Sequence, residues 1–338
     1  MHTETYSGSV GDLAERELAA VPMEQRITLY DDNGQRKAQA TVLTEIGSQH
    51  HLFHDADGEA FARVPAADHA AVFKVTCSEY RDLLGRAYYL LSGVGANRNA
   101  ITDAVATLTA TARYAGPVEP VHLRIGASDQ GIVVDTGASD WAVIEVTPSG
   151  WQTLRQHAVN FRRTTKATGL PVPGHADFSL IWKHVNVEST DRVLVAGWLL
   201  AALRPHGPFP ILLLLGEQGT GKSNSSRTLK ALTDPSGVPL RPPPRDDRDL
   251  LVAALNSWVL ALDNLSGATP QLSDALCRLA TGGALAGRKL YTDTEESAHN
   301  IQRPVILNGI DDLASRPDLA ERCIHLTLPP LTDARHRG

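Results

Sequence analysis

Eight consecutive residues, Gly216-Glu217-Gln218-Gly219-Thr220-Gly221-Lys222-Ser223, carry the most specific chemistry in the chain. They fit G-x-x-x-x-G-K-[ST], a pattern suited to holding a phosphate tail. Glycines let successive backbone N–H groups turn inward around phosphate oxygens, and a helix starting there points its positive end at them. Lys222 would reach the β- and γ-phosphates, and Ser223 would offer its hydroxyl to Mg2+. By average composition, four fixed positions match by chance in a chain of this length roughly once in a hundred. A ligand-free glycine turn needs that coincidence together with the strand PFPILLLL before it and a helix from Lys222 to Leu232 after it. The stretch therefore reads as a nucleotide phosphate cradle.

Such a cradle needs a carboxylate for its metal. Trp258-Val259-Leu260-Ala261-Leu262-Asp263 is an apolar run ending in one. At the carboxyl end of a buried strand, Asp263 would stand beside the loop and share Mg2+ with Ser223; a capping aspartate is the plain alternative. Asn264 follows, where many hydrolytic proteins of this class place a glutamate. An amide orients water but cannot take its proton. Two readings stay open: slow turnover, or another acid such as Glu217 or Glu295. A second apolar run, Pro304 to Asn308, also ends in an amide. On a neighbouring strand Asn308 would reach the γ-phosphate or its water, unless it only forms the turn before Gly309. Arg316 and Arg322 flank a short helical piece before the last strand. Arginine stabilises the charge of phosphoryl transfer, often from a neighbouring subunit. Arg322, at the strand entrance, is the favoured finger, against simple pairing with Asp318 or Glu321.

These groups meet only if strands bring them to one edge, and the second half of the chain is patterned for that. PFPILLLL, WVLALDN, RPVILNG and CIHLTL are near-continuous apolar strands. Helical stretches alternate with them over Asp191–Leu203, Lys222–Leu232, Asp246–Asn256 and Pro270–Ala280. VPLRPP reads as a further short strand and 285–300 as a hairpin. This alternation predicts a parallel sheet with helices on both faces. Residues 1–45 read as an acidic, weakly structured arm. Residues 46–175 read as a smaller α+β domain: a hairpin over 51–64, two helices over 78–113 and short strands over 121–151. Pro171, Pro173 and Gly174 mark its end, and the P-loop domain is expected over 185–332.

Composition narrows the partners. A length of 338 residues suits about two domains. A net charge of −6 excludes a protein that coats nucleic acid by charge alone, while leaving room for a local basic channel. Three scattered cysteines make no disulfide framework, and the amino terminus lacks the apolar core of a signal peptide. Val193 to Leu215 is broken by Arg204, His206 and three prolines, so no membrane span is expected. A cytoplasmic protein follows. His50, His51 and His54, with Asp55 and Asp57, would be scattered by a hairpin and are not read as a metal site. Arg155, Arg162, Arg163 and Lys166 are the densest positive patch of the first half, a nucleic-acid contact or, more often for such a run, a solvated face.

Taken together, the Walker A segment 216–223, the strand to Asp263-Asn264, the strand ending in Asn308 and RPDLAER resemble an AAA+ ATPase. More closely, LSDALCRLATGGALAGRKLYTDTEES followed by RPVILNGI resembles the ATPase module of phage- and plasmid-type primase-helicases, relatives of superfamily 3 helicases found on mobile elements. The resemblance covers roughly residues 190 to 330. It implies a homo-oligomeric ring that hydrolyses ATP with Mg2+ to move on DNA, with an arginine finger supplied in trans. It also implies a DNA-touching hairpin before the Asn308 strand. By position Gly287-Arg288-Lys289-Leu290-Tyr291 matches, with Arg288 and Lys289 suited to phosphate and Tyr291 to stacking. The sequence departs from the family at Asn264, in the little chain left after its last strand for a helical lid, and in showing no primase carboxylate cluster. The expectation is an α/β P-loop NTPase domain, AAA+/superfamily 3-like, preceded by a smaller α+β domain. It would act as an ATPase in DNA replication of a mobile element. The alternative is a low-turnover, ATP-dependent switch or scaffold that recruits a partner without unwinding DNA.

Overall fold

The computed structural model describes residues 27–66, 68–174, 177–288, 296–310, 313 and 316–331. They fall into two units divided after Arg163, with Leu123–Ile125 belonging to the second. Regular structure begins earlier than composition suggests. Gln39–Ser48 is a helix (α1) burying Val42, Leu43 and Ile46, so the arm expected over 1–45 gives way before Gln39. Those three positions share one helical face. The expected helix pair is Ser78–Ser92 (α2) and Arg98–Tyr114 (α3). Cys77 Sγ accepts the Tyr80 N–H at the start of α2, and Asn97 Oδ1 accepts the Ala100 N–H at 2.8 Å to cap α3. A Cβ on Gly47 would lie 2.3 Å from Leu108 Cδ1, so glycine is what lets α1 approach α3.

Strands β1 (His51–His54), β2 (Ala60–Pro65) and β3 (Ala70–Lys74) form an antiparallel sheet. Asp55 Oδ1 turns the first hairpin by accepting the N–H groups of Asp57 and Glu59. Short strands follow: β4 (Val121–His122), β5 (Ile125–Ala127), β6 (Ile132–Asp135), β7 (Val143–Thr147), β8 (Gly150–Leu154) and β9 (Asn160–Phe161). Of these, β6, β7 and β8 make an antiparallel meander. The histidines have separate partners: His50 meets the Tyr80 hydroxyl, His51 the Glu119 carboxylate and His54 the Asp55 carbonyl. No cluster of three or more His, Cys, Asp or Glu side chains that could hold a metal ion is found among the described residues. In the positive patch, Arg163 stacks 4.0 Å over Trp141 and binds Asp135, while Arg155 binds Asp68 and Asp140. Two of its cations thus serve internal pairs.

The second unit is built on helix α4 (Arg192–Ala202), β10 (Ile211–Leu215), α5 (Lys222–Thr233), α6 (Asp247–Leu255), β11 (Leu260–Leu265), α7 (Pro270–Thr281), the hairpin β12 (Ala284–Arg288) and β13 (Glu296–Asn300), β14 (Val305–Gly309), α8 (Pro317–Ala320) and β15 (Cys323–Thr327). Four strands lie in the order β11-β14-β10-β15, every pair parallel. VPLRPP supplies one parallel bridge, Arg241 to Leu262, in place of a strand. Pro239, Pro242 and Pro243 have no N–H to extend that ladder. Alternate residues face opposite sides of the sheet. Ile211, Leu213, Leu260, Leu262, Val305 and Leu307 pack with α6 and α7, each buried side chain contributing about 1.5–3 kcal/mol. The other face is covered by α5, and α4 packs against α5. This is the P-loop sheet with both faces covered, and its strands' carboxyl ends meet at one edge. No described helix is long and apolar enough to cross a membrane.

Candidate nucleotide site

β10 is fully buried through Leu214, and Gly216, Gly219 and Gly221 then turn the chain into α5 with φ of 150°, 86° and 80°. No side chain caps α5. Among the described hydrogen bonds none is donated by the backbone N–H groups of Glu217 through Ser223. Those dipoles and the positive helix end stay available to an anion. Space also fixes Gly216, where a Cβ would come 2.9 Å from Thr220 Oγ1 and 3.1 Å from the Leu328 carbonyl. Thr220 Oγ1 donates to the Glu217 carbonyl at 2.9 Å, closing the turn.

Lys222 Nζ lies across this loop, donating to the Gly216 and Glu217 carbonyls at 2.7 Å each. Burial holds its pKa below the ordinary lysine value, against the opposing pull of Asp263. Ser223 Oγ donates to Asp263 Oδ1 at 2.8 Å. A hydroxyl beside a carboxylate is the hard-oxygen pair that suits Mg2+, so the residues present fit the metal. Asp263 caps no helix; that task at α7 falls to Thr269, which accepts the Leu272 N–H.

Asn264 is left-handed, with φ of 57°, and its side chain is exposed. Leu262 pairs with Leu307 and Leu265 with Gly309, so Asp263 and Asn264 together oppose Asn308, forming a bulge. Asn308 is 1% exposed. Its Oδ1 accepts the Asn264 N–H at 2.8 Å and its Nδ2 donates to Ser226 Oγ at 3.0 Å. The expected adjacency of the two strands is there, but both ends of the Asn308 amide are engaged inside the protein.

Arg322 lies at the other end of the sheet. Its carbonyl accepts the Ile211 N–H at 2.9 Å, level with the start of β10, whereas the loop leaves the end of that strand. The five residues between span about 16 Å at 3.3 Å each. Its guanidinium donates to the Asp318 carbonyl. Arg316 instead binds Asp274 Oδ1 and the Pro270 carbonyl, both at 3.1 Å. The expected hairpin is β12–β13, with Arg288 in register with Glu296. Lys289, Tyr291 and Glu295 lie outside the described residues. Glu217 is exposed on the loop.

Sequence reasoning misses Asn186. Its Nδ2 donates to the Thr220 carbonyl at 2.9 Å and the Pro329 carbonyl at 2.7 Å, and its own N–H goes to Ser225 Oγ at 3.1 Å. It ties the loop to α5 and to the segment after β15. No motif surrounds it; the only signal is a polar residue between two buried valines, Val185 and Val187.

Residues 179–335 match the family model of the actinomycete integrative conjugative element replication protein. That segment holds the loop, Asp263, Asn308 and Arg322, and the match bears out the expected link to the replication of a mobile element. Similar solved structures include the active helicase Cch of SCCmec type IV, at 13% identity and TM-score 0.45, over 84% of this chain and 54% of that one. The apo C-terminal region of NrS-1 follows at 12% and 0.40, over 89% and 66%. JCV helicase with a bound small molecule stands at 13% and 0.31, over 44% of each chain. This chain thus spans between half and two thirds of the first two, and values this low carry no chemistry across. No curated protein matches the sequence.

Proposed function

We propose that the second unit binds ATP with Mg2+ in the Gly216–Ser223 cradle, hydrolyses it at a subunit interface, and couples turnover to handling DNA during replication of a mobile element. The observation that carries this reading is the 2.8 Å contact of Ser223 with Asp263, beside a loop whose N–H groups are uncommitted. The match of this segment to a conjugative-element replication family supplies the context.

The roles follow from the chemistry. Backbone N–H groups and Lys222 hold the β- and γ-phosphates, Lys222 exchanging two neutral carbonyls for charged oxygens that bind it more strongly. Ser223 and Asp263 would hold magnesium, which when bound neutralises charge on the phosphates. Asn264 orients a water without accepting its proton, so turnover is slow unless Glu217 or Glu295 acts as base. Arg322 serves the cradle of a neighbouring copy in a homo-oligomeric ring. Arg288 and Lys289 contact DNA phosphates. The protein works in the cytoplasm, with no membrane partner.

The deciding experiment measures ATPase rate against added single- and double-stranded DNA, with oligomeric mass determined in the same buffer. DNA-stimulated turnover is expected, and K222A should lower it by roughly 100-fold. A wild-type rate equal to that of K222A defeats the reading. Asn264 favours one rival, the ATP-dependent switch that recruits a partner. Tight ATP binding with slow turnover indifferent to DNA would select it.

A further inference from the structure

Building on the ATPase reading, we propose that Asn308 is a positioning residue and not a phosphate contact. It clamps the Asp263–Asn264 bulge so that the exposed amide of Asn264 is the group addressing the attacking water.

The geometry of the ladder carries this. Because Leu262 faces Leu307 and Leu265 faces Gly309, the inserted residue leaves the Asn264 N–H without a strand partner. The Asn308 side chain supplies that partner at 2.8 Å. Left-handed backbone at φ of 57° is uncommon outside glycine, though asparagine tolerates it better than most, and this hydrogen bond holds the residue in that turn. The other end of the same amide donates to Ser226, on the helix that begins with Lys222 and Ser223. One buried side chain therefore links the helix that begins with Lys222 to the bulge that carries Asn264. Asn308 is 1% exposed and has neither end turned to solvent, whereas Asn264, next to Asp263, is exposed at the ligand edge.

A double-mutant cycle on the full chain tests the assignment, using N264G because glycine adopts the left-handed turn without support. N308A is expected to lower kcat about 10- to 100-fold while the Kd for a non-hydrolysable ATP analogue changes by less than about 3-fold. In the N264G background, N308A should cost nothing further, since the group it aims is gone. Multiplying losses would overturn the proposal. S226A, a milder change that keeps the Asn264 bond, should lower kcat less; a rise would show that the released Asn308 amide acts on phosphate. Amide exchange on the nucleotide-free protein gives a readout independent of turnover. The Asn264 N–H should exchange at least about 10-fold faster in N308A. Unchanged exchange defeats the clamp even where wild-type turnover is robust. A wild-type chain without turnover defeats the ATPase reading alone and leaves the exchange result to decide the clamp.

Discussion

At position 264, backbone conformation accounts for an asparagine where a hydrolytic protein of this class would carry glutamate. The left-handed region costs most side chains about 1–2 kcal/mol, and asparagine is among the few that occupy it readily. N264E should therefore lower stability by about that amount, read as a reduced Tm, while N264G stays within about 0.5 kcal/mol of wild type. An N264E protein as stable as wild type would show that the bulge does not constrain this position. The difference also marks what a sequence discloses at this scale. The glycine turn between strand and helix over Gly216 to Ser223 was legible because its residue types recur at fixed spacing, and so was the place of Asp263 near the end of an apolar strand. The partners of Asn308 depend on one extra residue in a ladder, and nothing in RPVILNG announces a bulge in the strand beside it. Asn186 was equally hidden, because its partners are carbonyls that any residue could supply.

Among the elements, α5 is anchored at its far end by buried charge. Asp234 Oδ2 accepts the N–H groups of Trp258 and Val259 and the Lys230 ammonium, all within 3.0 Å, and Oδ1 lies 3.4 Å from Arg124 Nε. Burial alone would raise the Asp234 carboxyl, but Lys230, Arg124 and the Val259 N–H outweigh it and hold its pKa below the usual value. A depressed carboxylate contributes stability that is present above the unfolded pKa and lost as pH falls through the folded one. D234N should accordingly cost about 3–5 kcal/mol near neutral pH, since it leaves two cations buried without their anion. Its stability should also change less than that of wild type as pH is taken down through the carboxylate range. Urea titrations at several pH values test both, and parallel pH curves would exclude Asp234 from the acid transition. Strands and helices of this unit were readable to within a few residues because long apolar runs leave little choice. VPLRPP forms a single bridge and not a strand, because its prolines stop a ladder that Val and Leu favour.

For the whole molecule, the register of β15 decides how Arg322 can act. Level with the first residue of β10, it lies a strand's length from its own cradle, so any role in phosphoryl transfer must be played toward another copy. R322A and K222A should each be inactive. Random equimolar mixing should restore activity at about a quarter of interfaces, where an intact cradle meets an intact arginine. No recovery on mixing would remove Arg322 from the reaction. The change of rhythm near the proline cluster suggests two parts, whereas the units divide earlier, after Arg163. That Leu123–Ile125 belongs with the later unit was not legible, because only Arg124's distant partners Asp234, Thr168 and Pro235 place it there. A single nitrogen of Asn186 grips both the apex of the phosphate loop and the chain leaving β15. Tension applied past Leu331, by a fused tag or a tethered bead, would be felt first at Thr220. A handle at the carboxyl side would therefore tug on the Gly216–Ser223 loop through Asn186.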